Sequence, residues 1–351
     1  MHSIMAARND LDRDADAPAP SWRRKTDMII GDSPAIRQVL HTLDRLAASH
    51  TPVLITGESG VGKELVARSL HYCGPRARGP FIAINCAAIP ETLIEAELFG
   101  YQRGAFTGAV SAHPGAIECA QRGTLFLDEI GEMPVHMQAK LLRVLETSEV
   151  QRLGSREHKQ IDFRLVTATN RNLEQAVKDG RFREDLYYRV HVYPVHVPPL
   201  RERPDDIPRL VHHHLSVIGL REHQQALRIT QTALDKLIAY RWPGNVRELI
   251  NLLERAVLLA GNRMIDGHRV IDADDVVVPG SPTPEPRAPE LVPYREAKAR
   301  FELDYYTQLM RSAGGNVSRA AKLGQKTRKE IYDALRRCGL DVKRRPSAAA
   351  E

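Results

Sequence analysis

The stretch that decides the fold is Val53-Leu54-Ile55-Thr56-Gly57-Glu58-Ser59-Gly60-Val61-Gly62-Lys63-Glu64. Val53–Thr56 reads as a short buried strand. Gly57 to Lys63 then has the GxxxxGK spacing of a phosphate-binding loop, and Lys63–His71 reads as a helix. In that setting the glycines let backbone N–H groups turn inward onto phosphate oxygens. The helix N-terminus adds partial positive charge, and Lys63 carries a full mobile charge to the β- and γ-phosphates. The candidate nucleotide-binding residues are Gly57, Glu58, Ser59, Gly60, Val61, Gly62, Lys63 and Glu64. Glu64 stands where Ser or Thr usually holds magnesium.

Outward from this loop, the candidate strands Phe81–Asn85, Thr124–Leu127, Arg164–Ala168 and His191–Val197 alternate with helical segments such as His136–Leu145. Strand–helix alternation predicts an α/β fold, a mostly parallel sheet with helices on both faces. The strand Thr124–Leu127 runs into Asp128 and Glu129. Adjacent carboxylates at the end of a buried strand carry a large desolvation cost unless a cation is near. Asp128 is therefore the candidate Mg²⁺ ligand, and Glu129 the candidate base for the water that attacks the γ-phosphate of ATP. Thr169 and Asn170 follow the strand Arg164–Ala168, where they either orient the same water or form a simple strand-end turn.

The chain has 351 residues, 42% hydrophobic and 27% charged, which excludes a wholly disordered chain and allows two or three domains. No apolar run approaches the ~18 residues of a membrane span, and no secretory signal is visible. Cys73, Cys86, Cys119 and Cys338 show no CxxC spacing, which argues against a zinc finger or disulfide framework and fits the cytoplasm. His212, His213 and His214 are consecutive, point ~100° apart on a helix, and cannot converge on one metal.

Composition divides the chain. Residues 1–26 read as a flexible arm, 27–199 as the α/β part, and 200–272 as a helical part with no strand signal from Asp206 to Ala260. A proline-rich linker follows over 273–294, then a short basic helical domain over 295–342 and a tail over 343–351. Arg295–Glu351 holds 14 Lys+Arg against 7 Asp+Glu, net +7, while the whole chain is +6, so everything before it sums to −1. The asymmetry points either to an anionic partner, most often nucleic acid, or to a solvated basic tail. Within this segment Phe301, Leu303, Tyr306, Leu309 and Met310 recur at helical spacing, and Gly314-Gly315 ends that helix. Asn316 and Thr327 can cap helices over Val317–Leu323 and Arg328–Arg337. Two short helices about a turn fit a helix-turn-helix, with Ile331 and Leu335 inward. Arg319, Thr327, Arg328, Lys329, Tyr332 and Arg336 are the candidate contacts to double-stranded DNA. A dimerisation helix with solvated charges is the competing reading.

Several further stretches give the chain a resemblance. They are Asn85-Cys86-Ala87-Ala88, Glu97-Leu98-Phe99-Gly100, Gly104-Ala105-Phe106-Thr107-Gly108-Ala109, Phe182-Arg183-Glu184-Asp185-Leu186-Tyr187-Tyr188-Arg189, Pro198-Pro199-Leu200-Arg201-Glu202-Arg203 and Trp242-Pro243-Gly244-Asn245-Val246-Arg247-Glu248-Leu249. From about Met28 to Leu259 the chain resembles the bacterial enhancer-binding proteins, the AAA+ activators of sigma-54 RNA polymerase, and Gly104–Ala109 matches their GAFTGA loop letter for letter. An acidic residue at the place of Glu64 is usual in that family. The resemblance implies a hexameric ring, with Arg183 and Arg189 as arginine fingers reaching a neighbour's γ-phosphate; surface ion pairing with Glu184 and Asp185 is the plainer alternative. It also implies Asn85 as a switch that holds the catalytic Glu129 away from water, Thr169 and Asn170 as the first sensor, and Arg247 as the sensor of a helical lid.

Gly104 and Gly108 flank one large aromatic, Phe106, beside Thr107, a composition that suits a mobile loop presenting an apolar tip to a partner. The resemblance names that partner as the sigma-54 RNA polymerase holoenzyme. Asn316-Val317-Ser318-Arg319-Ala320-Ala321 is similar to the Fis-type domain that ends many such activators and reads an upstream activating sequence. The turn glycine of that domain usually falls one residue later than Gly324, where this chain has Gln325. About 26 residues precede the α/β part, so control is expected from a separate protein or from expression level. Three functions compete: an ATP-driven remodeller of the polymerase, a DNA-binding regulator whose nucleotide only sets oligomeric state, and an ATPase acting on DNA itself.

Overall fold

A computed structural model describes residues 29–106, 108–221, 227–261, 264–265, 268–278 and 294–339. The arm over 1–26, most of the proline-rich linker, Thr107 and the tail lie outside the described residues. The chain forms two compact units, residues 1–281 and 282–351.

In the first unit, β1 (Val53–Thr56), β2 (Phe81–Asn85), β5 (Thr124–Asp128), β8 (Arg164–Thr169) and β9 (Tyr193–His196) form one sheet in the order β2-β5-β8-β1-β9. Every pairing in it is parallel. Successive strand residues face opposite sides. Leu54, Leu125, Leu127 and Leu165 therefore pack into one core, beneath α3 (Glu91–Phe99), α5 (Val135–Thr147) and α7 (Glu184–Val190). Val53, Ile55, Phe126, Val166 and Ala168 pack into the other, beneath α1 (Pro34–Ala47) and α2 (Lys63–Tyr72). The expected two-faced sheet is present. β5 and β8 run one residue further than the apolar pattern, to Asp128 and Thr169, and β9 is shorter than His191–Val197.

Arg164 is buried in β8. Its guanidinium donates to the carbonyls of Leu46, Ala47 and Leu70, the last turns of α1 and α2, so one cation satisfies two helix C-termini. Two short pairs complete the α/β part, β3 (Gly100–Tyr101) with β4 (His113–Pro114), and β6 (Glu149–Gln151) with β7 (His158–Gln160). Among the described residues the other α-helices there are α4 (Ala116–Cys119) and α6 (Leu173–Lys178).

The lid consists of α8 (Ile207–Arg221), α9 (Gln231–Ala239) and α10 (Asn245–Ala260), packed around Trp242, Leu249 and Leu253. It is not wholly helical. β10 (Leu227–Ile229) pairs in parallel with β12 (His268–Ile271), which also takes β11 (Met264–Ile265). A three-residue strand is too short to show a period of two, which is why the sequence carried no strand signal there. Val276 and Val278 are buried in the lid core, so packed chain continues past residue 272, into what the prolines marked as linker.

Among the described residues the second unit has three helices, α11 (Tyr294–Ser312), α12 (Val317–Leu323) and α13 (Arg328–Arg337), around Tyr306, Val317, Ala320, Ile331 and Leu335. Phe301 and Leu303, at the head of the apolar stripe on α11, are exposed. Gly314 and Gly315 both take positive φ where α11 ends. Asn316 caps α12 through Oδ1, which accepts from the amides of Ser318 and Arg319. In the turn that follows, Gln325 takes the left-handed conformation, φ +48°. Gly324 is not left-handed; a Cβ there would come within 2.9 Å of Leu309 Cδ2. Packing explains the glycine, and Gln325 takes the turn conformation at a cost of about 1 kcal/mol.

Candidate nucleotide site and partner loop

Because the sheet is parallel, the carboxyl ends of β1, β2, β5 and β8 meet at one edge, where ligands of open α/β folds bind. Gly57 leaves β1 with its N–H bonded to Thr169 O at 3.3 Å. Gly60 has φ +80°, and a Cβ there would overlap the Gly244 carbonyl oxygen. Gly62, φ +102°, caps α2, so Lys63 opens the helix. Lys63 is only 7% exposed. Its Nζ donates to Gly57 O at 3.0 Å and to Glu129 Oε1 at 3.1 Å.

Glu129 follows β5 in the left-handed region, φ +51°, and its Oε2 accepts from the Asn170 N–H at 3.1 Å. Asp128 Oδ1 accepts from the Glu129 N–H, and Oδ2 from Asn85 Nδ2, both at 3.1 Å. Asn85 thus contacts Asp128, not Glu129 as the resemblance implied, while its Oδ1 accepts from the amides of Ala87 and Ala88. Burial, then the Glu129 charge, raises the Asp128 carboxyl above its usual range, against the pull of Lys63. The neighbouring Cys86 thiol is pushed up to about 12 by burial and by the same two carboxylates. This is a locally negative site with one buried cation, Lys63. Thr169 is buried, and its Oγ1 accepts from the Arg171 N–H.

Glu58, Ser59 and Gly60 face the lid. Ser59 Oγ accepts from Arg247 Nη1 at 2.9 Å, and Gly60 O accepts from the amides of Val246 and Arg247. Glu58 is paired with Arg201, and Glu64 with Arg68 along α2. Val61 is buried.

Beside the loop lies a mainly apolar cavity of about 390 Å³, whose walls include Ile29, Ile36, Val61, Leu210, His213 and Ile250. Its size and surface suit a flat aromatic base. It is assembled from four stretches far apart in the chain, and the sequence reading missed it. His214 also lines it, with its ring 5.1 Å from that of His213 and its pKa lowered by burial. Among the described residues no group of His, Cys, Asp or Glu is arranged to hold a metal ion by itself.

Two candidates lie away from these groups. Arg183 pairs with Asp185 at 2.7 Å, the plainer of its two readings. Arg189 donates to Leu145 O at 2.7 Å and lines a cavity with His50 and Pro52, which precede β1. The phosphate loop follows β1, so the Arg189 side chain is turned toward the opposite edge of the sheet from its own chain's loop, while Tyr187 of the same helix and His191 at its end line a cavity with Gly57 and Glu58.

Gly104 and Gly108 both have positive φ, and a Cβ on either would meet nothing within 4 Å. The Gly104 N–H donates to Ala109 O, and the Ala109 N–H to Phe106 O, which closes the loop on itself. Phe106 is 44% exposed, with one edge of its ring against Tyr101 at 4.9 Å. The loop base is tied by Gln102 N–H to Leu153 O and by Leu153 N–H to Gly100 O.

In the second unit Arg319, Arg328, Lys329, Tyr332 and Arg336 are all exposed. Thr327 is engaged otherwise: its Oγ1 and backbone close a capping box with Glu330 at the start of α13.

Residues 29–196 match the family described as the Sigma-54 interaction domain, and 201–275 the AAA+ ATPase lid domain. The transcriptional regulatory protein GlrR of Escherichia coli (strain K12) is 42% identical over 332 residues, covering 95% of this chain and 72% of that protein. The Nif-specific regulatory protein of Azotobacter vinelandii is 51% identical over 233 residues, 66% of this chain and 44% of that one. Among solved structures, NtrX from Brucella abortus aligns with a TM-score of 0.67 at 36% identity, covering 90% of this chain and 70% of that one. The same protein in complex with ATP aligns with a TM-score of 0.66 at 36% identity, covering 89% and 69%. Among the described residues no helix is long and apolar enough to cross a membrane. A phosphate loop under a helical lid, an exposed phenylalanine loop on the same domain, and relatives matched along most of this chain agree, and the chain belongs to the AAA+ sigma-54-dependent transcriptional regulators.

Proposed function

We propose that the protein is a Mg²⁺-dependent ATPase that binds upstream double-stranded DNA and remodels the closed complex of sigma-54 RNA polymerase into the open one, working in the cytoplasm as a hexameric ring. Residues 27–199 and 200–272 would form the motor, and 295–342 the Fis-type DNA-binding domain. The observation that carries the reading is the meeting of Lys63, Asp128, Glu129 and Asn170 at the carboxyl edge of the sheet whose own insertion holds Phe106 out to solvent. A nucleoside triphosphate draws Lys63 away from Glu129, because phosphate competes for the ammonium. Glu129 is then free to take a proton from water.

The residues present fit magnesium. One carboxylate, Asp128, raised in pKa by burial and by its neighbour, is the usual protein share of a Mg²⁺ site completed by phosphates. When bound, the ion neutralises charge developing on the γ-phosphate. The turn of the Arg189 side chain toward the far edge of the sheet supports a role toward an adjoining protomer rather than its own site. Arg183 would act in the same way after leaving Asp185. Exposed Arg319, Arg328, Lys329, Tyr332 and Arg336 suit phosphate contacts, and Thr327 shapes the helix that presents them.

The deciding experiment is open-complex formation in vitro with sigma-54 and with sigma-70 polymerase, each with and without ATP. The reading requires opening only with sigma-54 and ATP together. DNA binding without opening would leave a nucleotide-gated regulator.

A further inference from the structure

Glu58 lies in the phosphate loop, where a bare carboxylate repels the anion the loop serves. It is not bare. Arg201, in the 3-10 turn Leu200–Glu202, donates from Nη1 to Oε2 at 2.8 Å and from Nη2 to Oε1 at 2.6 Å. This two-pronged pair is the strongest geometry open to a guanidinium and a carboxylate. Asn245 Nδ2 adds a third bond at 3.1 Å. Together they hold the Glu58 carboxyl down at about 2, Arg201 contributing most.

Asn245 is fully buried, with φ +53°. Its Oδ1 accepts from the Leu200 N–H at 2.8 Å, and its Nδ2 also donates to Ser59 O at 3.0 Å. One amide therefore ties the phosphate loop to the segment that carries Arg201. Two residues on, buried Arg203 donates to Val61 O at 3.2 Å. Glu58, Ser59 and Val61 are thus all gripped from the lid side. The Glu58–Arg201 pair differs from the other grips: its side chains are 42% and 43% exposed, against 3% for Arg203. It can open to solvent without disrupting the core.

We propose that Arg201 is a positioning residue of the phosphate loop, which neutralises Glu58 and holds its carboxylate toward the lid so that the loop offers a nucleoside triphosphate only its N–H groups and Lys63. The inference rests on the ATPase reading above. It makes the lid part of the electrostatics of the loop: when the lid turns and Arg201 leaves, an unpaired negative charge is uncovered beside the phosphates and weakens their hold.

The test is binding of a fluorescent ATP analogue to the full chain, with thermal melting of each variant as a check on folding. Arg201→Ala is expected to weaken binding about tenfold. Adding Glu58→Gln to that variant is expected to recover most of the loss, because the charge that Arg201 masked is gone. A purely structural contact behaves otherwise, since deleting its second partner restores nothing. Arg201→Gln, which keeps a donor and loses the charge, repeats both results should the alanine variant fold poorly. Unchanged binding in the single variants overturns the proposal. So does a double variant as weak as the single one, which would assign Arg201 to direct phosphate contact or to packing. A wild-type chain that binds no nucleotide defeats the ATPase reading itself, and is told apart by that control.

Discussion

The two functional extremities of the α/β domain are built on opposite terms. At the phosphate edge nearly every group is spoken for: Lys63, Asp128, Glu129, Asn85 and Asn170 share a continuous chain of bonds, and Gly60 has no room for a methyl group. At the Gly104–Ala109 loop two glycines sit in open space, and Phe106 leans on one aromatic neighbour. The first region is over-determined and reports small displacements. The second is held at its base and has open space around its two glycines. A machine that turns a change of one phosphate into movement elsewhere needs this division, a stiff reader joined to a loop with few contacts to lose.

The largest effects are expected where, in the proposed ring, a neighbouring subunit would complete the reader. Arg189→Ala should lower phosphate release by ~10³–10⁵, the usual worth of an arginine finger, with nucleotide binding retained. Mixing it with Glu129→Gln protein should restore part of the activity, since each variant keeps what the other lacks at a shared interface. A mixture as inactive as its components would place Arg189 in its own chain's structure. Glu129→Gln alone should cost ~10²–10⁴ in turnover, measured in the same assay under saturating ATP. The glycines then compare the two regions directly. Gly60→Ala must displace the Gly244 carbonyl as well as hold positive φ, and should lose roughly 3 kcal/mol in chemical denaturation. Gly104→Ala meets only the left-handed backbone cost, ~1 kcal/mol. Equal losses at the two positions would erase the contrast.

How much of this was legible in the sequence depended on distance along the chain. β1 and β2 match their apolar runs residue for residue: β1, inside the sheet, is a short unbroken hydrophobic word between turn residues, and β2 reads the same way although it lies at the sheet edge and buries only Ile84. Asp128 and Glu129 were legible because they continue the strand that places them. The contacts of Asn85 were not, since a choice between two adjacent carboxylates depends on the turn after β5, where Glu129 goes left-handed. Glu58 and Arg201 are 143 positions apart, and no spacing announces their pairing. The apolar cavity draws on Ile29, Leu210 and Ile250, each an ordinary apolar residue in its own segment. Gln325 shows the converse: the turn conformation was kept at the expected position although the residue that usually favours it was not.

The smallest expected effect on the fold is at the tip itself. Phe106 is nearly half exposed, and among the described residues its ring meets only that of Tyr101, so Phe106→Ala gives up little burial and leaves no cavity. Its cost in thermal or chemical denaturation should stay below ~0.5 kcal/mol, the range of ordinary surface substitutions. Open-complex formation with sigma-54 polymerase should nonetheless disappear, because a large apolar side chain presented on a glycine-flanked loop is the kind of residue that carries binding energy at an interface. The pair of measurements separates a partner contact from a structural plug. A variant that unfolds easily would show that Phe106 serves the domain, and a stable variant that still opens promoters would show that the polymerase is gripped elsewhere.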